Sequence, residues 1–264
     1  MINLKKVIVL ILISLLVLGC SKKEELIDTS FYFYKKENLS RYLKYKEKNP
    51  TLSDKDIIIR VNIGLDKEFY SDVKRAQEAD YIHVLVNKYR YLEPSFIPTN
   101  LAIVNPNFSK GTRLLVDVVR VNFEKMASDM KLEGLNIRLI SAYRSFAYQK
   151  VLYDNYVLKE NEKEADTYSA RPGHSEHQTG LAIDLDNVRK NYNDFDKTKE
   201  FEWMQLNAHK YGFILRYPKD KEHITGYIYE PWHYRYVGTK IAKIIHKENI
   251  TFDEYYYQEI EKGR

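Results

Sequence analysis

The sequence predicts an α+β protein. Two observations predict the class: short β-type runs at 137–140, 181–185, 213–217 and 226–229, and longer helix-type runs at about 111–130, 146–158, 202–211 and 240–247. A third places chemistry on that frame, because the run at 181–185 carries an aspartate seven residues after a histidine. These patterns leave the order of the strands open.

At the N-terminus, MINLKKVIVLILISLLVLGC sets Lys5 and Lys6 before an apolar run from Val7 to Leu18, then Gly19-Cys20. This is the pattern of an export signal, and Val17-Leu18-Gly19-Cys20 resembles the bacterial lipobox, whose cysteine receives a lipid and becomes the new N-terminus. The expectation is a signal peptide over 1–19 and a lipidated Cys20 that opens a charged tether over 20–34. An uncleaved anchor is the alternative, although the apolar run is short for a full span. Cys20 is the single cysteine, so disulfides cannot hold the mature chain and its core and any metal must.

The region 35–98 begins with KKENLSRYLKYKEK, an exposed helix stopped by Asn49-Pro50. After Ser53-Asp54, the β-branched residues Ile57, Ile58, Ile59, Val61 and Ile63 read as a strand. Ile82 to Val86 is a further apolar run, and Pro94, Pro98 and Pro106 mark an extended strap over 92–106. A helix is expected from about Gly111 to Met130, burying Leu114, Leu115, Val118, Val119, Val121, Phe123 and Met126. Ile137 to Ile140 reads as a core strand that delivers Ser141-Ala142-Tyr143-Arg144-Ser145, and Phe146 to Leu158 as a helix. Gly212 should stop the helix of 202–211.

Forty-two Lys and Arg against 37 Asp and Glu give a mild net charge of +5. That balance lacks the concentrated basic stripe of a nucleic-acid binder and suits an anionic surface such as a bacterial envelope. The 23 tyrosines are read first as core, with the lining of a peptide or polysaccharide cleft as the alternative.

The chemistry centres on SARPGHSEHQTGLAIDLD from Ser169 to Asp186. His177 and Asp184 can meet at one cation if the chain turns between them, and Gly180 suits that turn. Beyond the glycine, Leu181, Ile183 and Leu185 alternate with Ala182, Asp184 and Asp186, so Asp184 shares a strand face with the small Ala182. A nitrogen and oxygen donor set points to zinc rather than calcium or an iron–sulfur centre. The best third ligand is His233 in Tyr229-Glu230-Pro231-Trp232-His233-Tyr234, leaving one position open as catalytic zinc requires. Glu230 is then the candidate base, and Pro231 implies a turn that lets residues three apart converge. Arg144, just after a core strand, can bind a carboxylate bidentately or stabilise developing negative charge. His174 is expected to make a loop hydrogen bond, Asp186 to be structural, and Glu176 to point away from His177 without a chemical role.

The segments SAYRS at 141–145, SARPGHSEHQTGLAIDL at 169–185, YGFILRYPK at 211–219 and YEPWHYRYVG at 229–238 resemble the zinc D-alanyl-D-alanine carboxypeptidases of the vancomycin-resistance type. These belong to the superfamily that includes lysostaphin-like peptidases and the hedgehog signalling domain, and the resemblance spans roughly 50 to 258. It implies a small, mainly antiparallel sheet bearing zinc, flanked by helices. A zinc carboxypeptidase domain over 99–264 would then follow an N-terminal region, 35–98, that packs on it. It further implies His177, Asp184 and His233 as metal ligands, Glu230 as base, and Arg144, Gln149 and Ser175 as substrate contacts. The implied reaction is removal of the terminal D-alanine from peptidoglycan stem peptides by a lipid-anchored, extracytoplasmic monomer with no nucleic-acid partner. A D,D-carboxypeptidase is favoured. An L,D-carboxypeptidase acting on tetrapeptide stems is the alternative, and a cell-wall endopeptidase or a non-catalytic zinc module stands further off.

Overall fold

The computed structural model describes residues 27–187 and 192–261. The expected signal peptide and Cys20 lie outside them. Helix α1 (Leu39–Lys48) ends where Asn49-Pro50 predicts, with only Tyr42 buried. The run of isoleucines that follows is a helix, α2 (Asp54–Ile63), not the expected strand. Ser53 accepts a hydrogen bond from the backbone N–H of Asp56, and Gly64 closes the helix in the left-handed region. These two caps specify a helix, and the all-round burial that mimics a strand comes from packing. Ile57, Ile58, Ile59, Val61 and Ile63 share a core with Phe252, Tyr255, Tyr256 and Tyr257 near the C-terminus.

Strands β1 (Leu101–Ile103) and β2 (Leu114–Val116) form an antiparallel pair. The helix expected from Gly111 therefore starts later, as α3 (Asp117–Leu132), and Val118 and Val121 are exposed rather than buried. Leu114, Leu115 and Val116 carry β-type side chains beside a partner strand, and that pairing outweighs a helical extension.

The sheet that carries the site follows. Its strands are β3 (Ile137–Ser141), β4 (Ala182–Asn187), β5 (Phe213–Leu215) and β6 (His233–Tyr236), in the order β3-β4-β6-β5 with every neighbour antiparallel. The fold is thus the expected α+β class. The segment 226–229 is not a strand. A helical turn, Glu222–Thr225, ends at left-handed Gly226, and the sheet position is taken by β6. Between β3 and β4 run α4 (Phe146–Lys159), capped by Ser145, and α5 (Glu162–Tyr168). Helix α6 (Lys199–Asn207) and a 3-10 turn end at Gly212 as predicted, and α7 (Thr239–Glu248) follows β6.

Alternation along β4 and β6, and a register break between Leu139 and Ser141 in β3, separate two faces. Leu139, Ile183, Leu185 and Tyr234 pack with Val119, Phe123, Met126 and Met130 of α3 in one core. Ser141, Asp184 and His233 face the other way and line a cleft of about 440 Å³. A volume of that order suits a peptide end rather than a flat surface.

Candidate metal centre

Asp184 and His233 stand directly opposite each other in the β4–β6 register, so two of the three predicted ligands are a cross-strand pair. The third arrives through a turn. His177 sits in the 3-10 turn Glu176–Thr179, which Gly180 closes with φ +67°. A β-carbon on Gly180 would approach Leu101 and Val116 at 3.1 Å, so backbone freedom and close packing both require glycine there. One ligand atom from each of His177, Asp184 and His233 lies within 4.8 Å of the others, and all three residues are buried.

The ring nitrogens are assigned by their partners. Nδ1 of His177 lies 2.7 Å from the carbonyl oxygen of Ala142 and donates to it, so Nε2 carries the lone pair. That Nε2 is buried without a hydrogen-bond partner among the described residues and lies 3.2 Å from Oδ2 of Asp184. On His233 the site-facing atom is Nδ1, 3.0 Å from Oδ1 of Asp184 and 3.6 Å from Oε2 of Glu230. An orphaned buried imidazole nitrogen, a second imidazole and a carboxylate oxygen form a donor set that fits zinc.

Glu230 reaches the centre because His233 N–H donates to its carbonyl at 3.1 Å across the Pro231-Trp232 turn. Within the protein's own field, burial pushes its carboxyl up to about 8, with Asp184 adding to the rise and His233 and Arg144 opposing it. Burial, reinforced by Arg144, lowers His177 to about 4, leaving it neutral and able to ligate. Burial also disfavours charge on His233 and Asp184. The neighbouring carboxylates of Asp184 and Glu176 nonetheless raise His233 to about 9, and the two histidines hold Asp184 well below its usual range.

Arg144 is placed by three acceptors: Ser141 Oγ at 3.0 Å, Gln149 Oε1 at 2.9 Å and Asp184 Oδ2 at 3.0 Å. Gln149 lines the cleft but has both ends engaged, since its Nε2 donates to the carbonyl of Ala170 at 2.8 Å. Its visible work is to hold Arg144. Ser175 is buried at the cleft wall beside the ligand turn. Six tyrosines (148, 156, 168, 192, 217 and 227) line the same cleft, so the tyrosine-rich composition serves the cleft as well as the core. His174 makes its loop hydrogen bond to the carbonyl of Asn87 at 2.7 Å, and Asp186 is bound by both ends of the Arg138 guanidinium.

Glu176 was missed. It does point away from His177, yet it is fully buried behind His233, where Arg216 and Arg235 each donate to its Oε1 at 2.8 Å. No spacing rule signals this, because all three partners arrive from β6 or from just beyond β5.

The model of the VanY family, described as D-alanyl-D-alanine carboxypeptidase, matches residues 113–239. The "Putative carboxypeptidase YodJ" of Bacillus subtilis (strain 168) is 37% identical over 226 residues, 81% of this chain and 83% of that protein. The solved structure of the LD-carboxypeptidase LdcB superposes with a TM-score of 0.67 at 39% identity, covering 73% of this chain and 92% of the other. A VanY D,D-pentapeptidase variant from a VanB-type resistance cassette, in complex with Zn(II), superposes with a TM-score of 0.56 at 28% identity, covering 67% and 99%.

Proposed function

The chain belongs to the VanY family of D-alanyl-D-alanine carboxypeptidases, and from that premise we propose that it is a zinc carboxypeptidase removing the terminal D-alanine from peptidoglycan stem peptides. The observation that carries the proposal is the meeting of His177, Asp184 and His233 beside Glu230 and Arg144 at the floor of one cleft. His177 Nε2, an Asp184 oxygen and His233 Nδ1 would hold the metal. When bound, zinc supplies a polarised scissile carbonyl and a water acidified toward neutrality.

The remaining work falls to the chain's own groups. Glu230, in the cleft beside the ligating nitrogen of His233, accepts the proton of the attacking water and passes it to the leaving amine nitrogen. Arg144, braced by Ser141 and Gln149, presents its guanidinium to the terminal carboxylate or to the developing oxyanion. Ser175, at the wall, is placed to hydrogen-bond the peptide.

The D,D reaction on pentapeptide stems is the reading that the sequence favoured. The L,D reaction has one specific observation on its side: the likeness to LdcB is greater in identity and in TM-score than that to the VanY structure. Purified protein should be given pentapeptide and tetrapeptide stems separately and the products weighed. Loss of D-alanine from one stem alone assigns the bond. Release from neither, with zinc bound, would end the carboxypeptidase reading, and digestion of cross-linked sacculi would replace it with an endopeptidase. The export pattern supports a lipid anchor at Cys20 on the outer face of the cytoplasmic membrane, with the N-terminal region 35–98 supporting a catalytic domain over 99–264. Labelled palmitate should enter the wild type and not Cys20→Ala.

A further inference from the structure

Four charged side chains lie behind His233 in a sealed cluster. Glu176, Arg216, Arg235 and Asp253 are each 1% exposed or less. Arg216 bridges the two carboxylates, donating from Nε to Glu176 at 2.8 Å and from Nη1 to Asp253 at 2.6 Å. Arg235 donates to Glu176 from Nη1 and to the carbonyls of Ile82 and Val84 from Nη2. Asp253 also accepts from Asn87 at 2.7 Å. Burying four charges is costly, and such a cluster adds little stability over a well-packed apolar one. Its geometry is therefore the more informative feature.

That geometry leaves one carboxylate oxygen unclaimed. Both arginines use Oε1 of Glu176, while Oε2 is buried with no hydrogen-bond partner among the described residues. It faces Nε2 of His233 at 3.7 Å, and that nitrogen likewise has no partner. The geometry points to Glu176 as a positioning residue for the metal centre: its Oε2 receives the Nε2 proton of His233, which fixes the tautomer that turns the Nδ1 lone pair toward Asp184 and the cation. The two arginines hold the carboxylate in place and keep it ionised, and Asp253 balances their charge. His177 achieves the same end with a backbone carbonyl, that of Ala142. The centre thus has a neutral support behind one histidine and an anionic one behind the other, and the anionic support makes His233 the stronger donor.

This inference rests on the zinc reading above, and the test separates the two. Zinc dissociation constants of the full chain, measured by competition with a chromophoric chelator, should be compared for wild type, Glu176→Gln and Asp253→Asn. Glu176→Gln is expected to weaken zinc about 10- to 100-fold. Asp253→Asn, which removes a carboxylate from the same cluster but not from His233, should stay within about threefold of wild type, well short of that loss. Equal weakening by both variants would reduce Glu176 to one more buried charge and overturn the proposal, as would unchanged affinity in Glu176→Gln. Failure of the wild type to bind zinc would sink the zinc reading and this inference with it. Should Glu176→Gln not fold, ¹⁵N imidazole signals of the zinc-loaded wild type decide the matter. A proton on Nε2 of His233, with Nδ1 ligating, is expected; Nε2 without its proton overturns the assignment.

Discussion

Two arginine–carboxylate clusters flank the metal centre, and they differ in one respect. In front, Arg144 pairs with Asp184 at the cleft, and its side chain keeps 18% of its exposure. Behind, Arg216 and Arg235 pair with Glu176 at 1% exposure or less. The chemistry is the same but access to water and peptide is not. An open guanidinium can exchange a protein partner for a substrate carboxylate, whereas a sealed one can only hold what it already touches. The front cluster is therefore expected to govern turnover and the rear one folding and metal affinity.

The largest expected effect lies in front. Glu230→Ala should lower kcat by about 10²–10⁴-fold while zinc stoichiometry is retained. D-alanine release at the wild-type rate from a zinc-loaded variant would remove Glu230 from the mechanism. The rear cluster should answer differently. Arg216→Met leaves Glu176 and Asp253 short of a cation and should cost about 3–5 kcal/mol in denaturant unfolding, whereas Arg144→Met should cost no more than about 1 kcal/mol. Equal losses in the two variants would erase the distinction between front and rear.

Arg144→Lys should lower kcat/KM by about 10- to 100-fold, the value of a hydrogen bond to a charged group, because an ammonium cannot reproduce the planar fork. Steady-state kinetics on a stem peptide checks this, and an unchanged kcat/KM would mean that Arg144 serves only Asp184. The smallest effect concerns His174, on neither cluster. Burial lowers its pKa below the ordinary 6.5, against the pull of the Asn87 carbonyl. Above pH 6.5 both folded and unfolded chains carry it neutral and it contributes nothing. As pH falls below 6.5 the unfolded chain takes the proton first, so stability falls, by at most about 1.4 kcal/mol per pH unit. Wild type minus His174→Gln, compared in urea at pH 7.5 and 5.5, should show that slope, and a difference independent of pH would refute it.

Much of the front cluster was legible in the sequence. His177, Asp184, His233 and Glu230 lie in two short motifs whose turns are written locally by Gly180 and Pro231, and the family resemblance joins the two motifs at one site. Arg144 was legible from its place just after a core strand and from the resemblance. The rear cluster was not, because Glu176 meets Arg216 and Arg235 only after strands far apart in sequence pair, and a lone glutamate beside a ligand looks the same whichever way it faces. The fold divides along the same line. Helices α4, α6 and α7 and strand β3 follow local periodicity and caps. The isoleucines of α2 misled because β-branched residues buried on every side look like a strand until the caps and the C-terminal aromatic partners are known. The segment 114–116 misled because its strand partner, 101–103, is visible only in three dimensions.

By itself the amino-acid sequence determined the donor types, the base and the turns that carry them, since these depend on side-chain chemistry and on backbone preferences a few residues long. Tertiary structure alone decided which nitrogen of each histidine faces the site, what stands behind it and that 114–116 pairs as a strand with 101–103. Those outcomes depend on contacts between residues distant in the chain, whose energies exceed any local preference.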